Sequence, residues 1–289
     1  MVFESLLSPK SAEKYPWMTF FLGFFCCTIA IFLGHFIFPN HSSLAIVALS
    51  TLFFVPLFYL TMIYEEEKDT QPNQTEKKLI FEHSKAFKFF IFLFLGMTLA
   101  FMFWFIIFSF FPFLGINNDI IFSVQAETIQ AINAKVTADQ ANLMLQYGTN
   151  IFLNNIRVMI FCILFSFIYG AGSIFIITWN SSVIGLALGN YAISIINSAT
   201  GNTAGAIILG TTCAFTRYMI HGIPEILAYF IAGLGGGIIS VALVKQNYGT
   251  EEFESIVMDS AILILIAIAI LFISAIIEVV ITPMVMCRI

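Results

Sequence analysis

Four ionisable side chains stand in the late, apolar part of this chain: Arg217, His221, Glu225 and Glu278. The first three are spaced four apart, so on one continuous helix they would line a single face. Charge inside a bilayer is expensive, and that makes this stretch the best pointer to function. Two Glu and one Arg sum to a single negative charge, which a protonated His221 would neutralise. Such a group can serve as an ion-pair network, a proton site or a metal site. Buried charges seek partners, so Arg217, Glu225 and Glu278 are expected to join in a salt-bridged cluster between helices. His221 and Glu225 are of types that ligate zinc, but a His-x-x-x-Glu pair alone says little for a metal, and no cofactor is expected.

Pro224 complicates the shared face. Proline favours the first turn of a helix, which predicts a new helix from near Ile223 with Glu225 in its first turn, where the helix dipole favours a negative charge. On that reading the stretch is a capped turn at the membrane surface, with His221 in the corner. Glu278 argues for a built site instead, because it sits inside the end of the last apolar run, five residues before Pro283. A second polar set, Asn150, Asn154 and Arg157, follows spacings of four and three. Either Arg157 snorkels toward the outer interface, or the three side chains line a polar groove.

The elements that position these groups are membrane spans. Hydrophobic residues make up 60% of the 289 and charged residues 10%. Soluble domains carry about 25% charged residues, so a soluble fold is excluded. The expected class is all-α, a polytopic helical membrane bundle. A span needs about 20 apolar residues. Trp17–Phe38, Leu44–Tyr64, Phe87–Leu114, Asn150–Thr178 and Met258–Thr282 meet that length, and Ile223–Val244 is a glycine-rich run. Val183–Ser198 and Ala204–Ile220 are shorter. They read either as two thin spans or as a re-entrant hairpin with its tip at Ala199–Thr203, which gives six to eight spans. Paired short segments of this kind often mark a transporter's binding region.

Residues 1–84 read as a two-span hairpin with a charged linker, and residues 85–289 as the main membrane domain. Within the latter, Asn117–Tyr147 is a polar insert in which Ile129, Ile132 and Val136 recur at helical spacing, the pattern of an amphipathic helix outside the membrane core. Lys10 and Lys14 precede the first span, and Lys68, Lys77, Lys78 and Lys85 lie in the linker. The positive-inside rule puts that side in the cytoplasm. The expectation is a multi-pass cell-membrane protein with both termini and the Arg217–Glu225 stretch at the cytoplasmic face, and with the insert outside.

Glycine is dense in the second half, as Gly170 and Gly172, Gly185 and Gly189, and Gly233 and Gly237. Small residues at such spacings let helices approach closely, so a compact bundle is expected, and a homo-oligomer with a dimer favoured. Cys26, Cys27, Cys162, Cys213 and Cys287 form no CxxC pair and read as small apolar residues. The net charge of −5 argues against a nucleic-acid partner. Neither a Walker sequence, a His-Glu-x-x-His motif nor a Gly-x-Ser-x-Gly elbow is present.

The second half resembles the stage II sporulation protein M family. The likeness rests on Asn154-Asn155 followed by Gly170-Ala-Gly172, on Asn180 with Gly185, on His221-Gly-Ile-Pro-Glu225 running into Ala228 and Ile231-Ala-Gly233, and on Glu278 with Thr282-Pro283. It covers roughly Lys85 to Ile289, with the first two spans as an extension of the kind carried by archaeal-type members. The resemblance adds Asn180 to the polar cluster and implies a non-enzymatic membrane component. The leading expectation is a scaffold or assembly protein whose insert meets an extracytoplasmic protein partner. The alternative is a small transporter or channel with its polar site at Arg217, His221, Glu225 and Glu278. An intramembrane hydrolase using a metal at His221 and Glu225 is the third reading.

Overall fold

The computed structural model describes residues 8–69, 76–139, 144–169, 172–198, 203–245 and 249–285. Gly170, the hairpin-tip residues 199–202, Cys287 and Arg288 lie outside them. α1 (Pro9–Lys14) is capped by Ser8, whose hydroxyl accepts the Ser11 N–H. α2 (Trp17–Ile37) and α3 (Ser42–Asp69) form the first hairpin, and α4 (Glu76–Phe110) follows. The insert holds α5 (Asn118–Ile121) and α6 (Ser123–Asp139). α7 (Met144–Tyr169), α8 (Ser173–Ser198), α9 (Thr203–Val244) and α10 (Glu251–Val280) complete the bundle. Seven of these helices, α2, α3, α4, α7, α8, α9 and α10, are long and apolar enough to cross a membrane.

The breaks between spans fall elsewhere than the sequence suggests. Asn150–Thr178 is not one span: α7 ends at Tyr169 and α8 starts at Ser173. A methyl group on Gly172 would stand 2.5 Å from the Phe165 carbonyl oxygen, so the corner between them closes over a position with no side chain. Val183–Ser198 is therefore the later part of a full-length α8. Ala204–Ile220 and Ile223–Val244 join into one helix, and Pro224 lies inside α9 rather than at a helix start. Proline in a helix interior costs about 3 kcal/mol. A break there would instead strand a full set of backbone N–H and C=O groups among apolar side chains. Two long helices thus replace the re-entrant hairpin.

The two ends of the bundle are identified by their contacts. At one end Lys10 lies 5.7 Å from the centre of the Tyr64 ring, and Lys245, just past α9, pairs with the buried carboxylate of Glu66 on α3. At the other end Ser43 donates to Gln125 of α6 at 2.5 Å, and Gly148 of α7 lies against Val279 of α10. Tyr218 lines one cavity together with Asn118 and Asp119. The Arg217–Glu225 stretch therefore belongs to the end that carries the insert, not to the linker end where the sequence set it.

Backbone approach at glycine holds the bundle together. A side chain on Gly96 of α4 would collide with the Phe20 carbonyl of α2, and one on Gly23 would stand 2.5 Å from the Leu93 carbonyl oxygen. Gly185 sits against Phe101, Gly189 against Phe105, Gly233 against Ser173 and Gly236 against Ile163; Gly237 is buried as well. The tightest approach is thus in the phenylalanine-rich first half, not the later glycine-dense one. Phe58, Phe90 and Phe230 tie α3 and α4 to α9, with ring centroids 5.0 Å apart for Phe58–Phe90 and 4.7 Å for Phe90–Phe230. Cys26, Cys27 and Cys162 are free and buried. Cys213 departs from the expectation and is disulfide-bonded; it lies one turn before Arg217, whose guanidinium meets the Val285 carbonyl.

Gly96→Ala should lower stability by about 1–3 kcal/mol through overpacking against backbone. Gly222→Ala, whose new methyl meets nothing within 4 Å, should be neutral or stabilising by up to about 1 kcal/mol. Thermal unfolding of the two variants in detergent, side by side, checks the contrast.

Candidate functional site

Because α9 is unbroken, Arg217, His221 and Glu225 do follow one another turn by turn. α10 runs antiparallel beside them. The Ser274 hydroxyl donates to the His221 carbonyl at 2.8 Å, and His221 Nδ1 meets Thr282 Oγ1 at 3.0 Å. Glu278 stands one turn from Ser274 and one turn from Thr282, so it falls on the seam that faces α9. There it is an electrostatic neighbour of Glu225. Both carboxylates are partly buried.

Two residues outside the polar sets expected from the sequence complete the surroundings of Glu225. Tyr229, one turn further along α9 and fully buried, donates its hydroxyl to Glu225 Oε1 at 2.7 Å. Asn155 of α7 is 5% exposed and faces the same carboxylate. Its amide nitrogen nevertheless completes no hydrogen bond of good geometry. Tyr229 is detectable in principle, since it repeats the four-residue step of the polar set. Asn155 stands in the Asn154-Asn155 pair that helped carry the family resemblance, and helical phase turns it inward while Asn154 points out.

Arg217 goes elsewhere. Its Nη1 donates to the Val285 carbonyl at 3.1 Å, and the guanidinium lies 5.4 Å from the centre of the Tyr191 ring. Among the described residues it pairs with neither Glu225 nor Glu278, so the expected salt-bridged trio does not form. The cation ties the segment after α10 to α9, and Glu225 stands two turns further along α9. Asn180 is engaged with its own helix, donating to the Ile176 carbonyl at 2.8 Å. Asn150, Asn154 and Arg157 lie together on the exposed side of α7 and do not reach the cluster. Among the described residues no three His, Cys, Asp or Glu side chains converge where they could hold a metal ion.

A cavity of about 570 Å³ lies beside the site, between α4, the insert and α8. Phe105, Asn118, Asp119, Gln130, Tyr191 and Tyr218 are among its lining residues. Asn118 is fixed in orientation, since its amide donates to the Phe105 carbonyl at 3.0 Å and to Ser109 Oγ at 2.7 Å.

A family model described as Stage II sporulation protein M matches residues 20–283. The match takes in the first two spans, which the sequence reading set apart as an extension. No curated protein and no solved structure matches the chain.

Tyr229→Phe should destabilise the protein by about 1–3 kcal/mol, because it leaves a buried carboxylate oxygen without its donor. In a Glu225→Gln background the same substitution should cost less than half as much. A double-mutant cycle on melting curves checks this; equal losses in both backgrounds would show that Tyr229 acts by packing alone.

Proposed function

We propose that this chain, which belongs to the stage II sporulation protein M family, is a non-enzymatic membrane scaffold that works as a homo-oligomer. An outward polar stripe on α7, made of Asn150, Asn154 and Arg157, carries the reading. Arg157 falls near the middle of the apolar stretch Gly148–Ile168. An arginine at the centre of a span costs roughly 2.5–3.5 kcal/mol on insertion scales, so protein rather than lipid covers it. A second copy related by a two-fold axis would set the two stripes against each other, with the amides bonding across the seam. The glycines do not serve this purpose, since Gly185, Gly189 and Gly233 meet their own chain.

Sidedness follows from the lysines. Lys10 and Lys14 mark the linker end as cytoplasmic. Seven crossings then put the insert and the end of α10 outside, in place of the shared cytoplasmic face. The disulfide at Cys213 fits an oxidising compartment at that end. There α6 offers its outer surface to an extracytoplasmic protein partner.

The transporter reading draws on the cavity under the insert. Its lining reaches Tyr218 but includes neither Arg217 nor Glu225. Further along α9, Phe230, Leu234 and Ile238 are buried on close-packed helices. That favours the scaffold.

Native mass spectrometry from bilayer nanodiscs should give a dimer for the unmodified chain. Arg157→Leu combined with Asn154→Leu should shift it to monomer while the melting point stays close to that of the parent. Asn154→Cys should cross-link between copies in membranes. A monomer in nanodiscs, without cross-linking at position 154, would refute the proposal.

A further inference from the structure

We infer that the cavity under the insert binds a small amphipathic amine, its ammonium group at the mouth beside Asn118 and Asp119 and its apolar body on the aromatic floor. The lining is graded in polarity. Phe122 and Leu186 are fully buried and Phe105 nearly so, whereas Asp119, Gln130 and Asn190 are exposed. The depth is therefore apolar and the mouth polar. At about 570 Å³ the space falls within the range usual for small-molecule sites, roughly 300–1,000 Å³.

The polar groups at the mouth call for a donor. Asn118 spends its amide nitrogen on protein, donating to the Phe105 carbonyl at 3.0 Å and to Ser109 Oγ at 2.7 Å. Those two bonds fix the amide and leave its Oδ1 shielded from water with no partner. A buried acceptor in that state is unfavourable, and an N–H from a ligand relieves it. Ser109 cannot do so, because its own hydroxyl donates to the Phe105 carbonyl at 2.9 Å. The next residue, Asp119, has its backbone N–H held by Asn117 Oδ1 at 2.8 Å. Its carboxylate meets no cation among the described residues.

Charge and aromaticity point the same way. The lining carries the Asp119 carboxylate and no Lys or Arg. Arg217 neighbours Tyr218 on α9, but it is committed to the Val285 carbonyl and the Tyr191 ring and does not join the lining. Two ring pairs stand around the space, Phe105 with Phe122 at 6.0 Å between centroids and Tyr191 with Tyr218 at 6.2 Å. Aromatic walls attract organic cations. One carboxylate alone is a poor metal site.

The polarity gradient also selects among amines. A lysine side chain or an ethanolamine headgroup would enter charge first and set its ammonium on the apolar floor. A free amine with an apolar body enters the other way and keeps its charge at the mouth. The cavity borrows nothing from α7, so this inference stands apart from the scaffold reading.

Calorimetric titration of the protein in phosphatidylcholine nanodiscs, with empty nanodiscs subtracted, tests the inference using 2-phenylethylamine as the probe. Saturable binding at one site per chain is expected. Its alcohol analogue 2-phenylethanol, its N-trimethyl derivative and methylamine should each bind at least tenfold more weakly, for want of the charge, the N–H donors and the apolar body in turn. Asp119→Asn should weaken the probe at least tenfold, whereas Glu127→Gln, which removes an exposed acid of α6 outside the lining, should not. Ala187→Phe, which narrows the cavity from α8, should abolish binding. No saturable heat with the parent chain, equal binding of the alcohol, or an affinity unchanged by both Asp119→Asn and Ala187→Phe would overturn the proposal. Loss of probe binding in phosphatidylethanolamine nanodiscs would overturn it too, by giving the site to the lipid headgroup.

Discussion

Lipid tails are as apolar as leucine, so helices inside a bilayer gain little by hiding apolar side chains from one another. What remains is dispersion at short range, and that requires backbones to come close. This protein meets the requirement at a few positions without side chains. Gly23 and Gly96 seat α2 on α4, Gly185 and Gly189 seat α8 on α4, and Gly233 and Gly236 seat α9 on α8 and α7. With those contacts fixed, the second half of α9, from Ile226 to Ala242, is buried among the other spans, and the phenylalanine rings of α3 and α4 fill the space beside it.

The polar site depends on that confinement. α10 can bond the His221 carbonyl through Ser274 only because the two helices run at contact distance. The same register delivers Glu278 to the seam. Confinement also decides what the site lacks: Arg217 is drawn off to the Val285 carbonyl at the end of the bundle and, among the described residues, forms no ion pair with Glu225 or Glu278.

The membrane bundle, its helical class and the helical insert could be read from the sequence, because apolar length and composition respond directly to the bilayer. Helix boundaries could not, and the errors share a cause. Sequence rules treat proline as a stop and paired glycines as a packing motif. Here Pro224 passes inside a helix, while Gly172 marks a corner. In water a helix end is satisfied by solvent. Deep in an apolar bundle it exposes several backbone groups at once, so continuing through a proline is the smaller penalty. Arg217, His221, Glu225 and Glu278 were visible as scarce charges, but their partners were not. Which of Asn154 and Asn155 turns inward is a matter of one hundred-degree step around α7, set by packing that a single sequence does not display.

At 42 residues, α9 is the longest of the described helices, and at 1.5 Å per residue it measures about 63 Å, roughly twice the hydrocarbon thickness of a bilayer. Its far tip is anchored by Lys245 to Glu66, and Pro224, which withdraws one rung of the hydrogen-bond ladder, sits near its midpoint. A rod of that length must either lean across the bilayer or carry its tips out past the acyl chains.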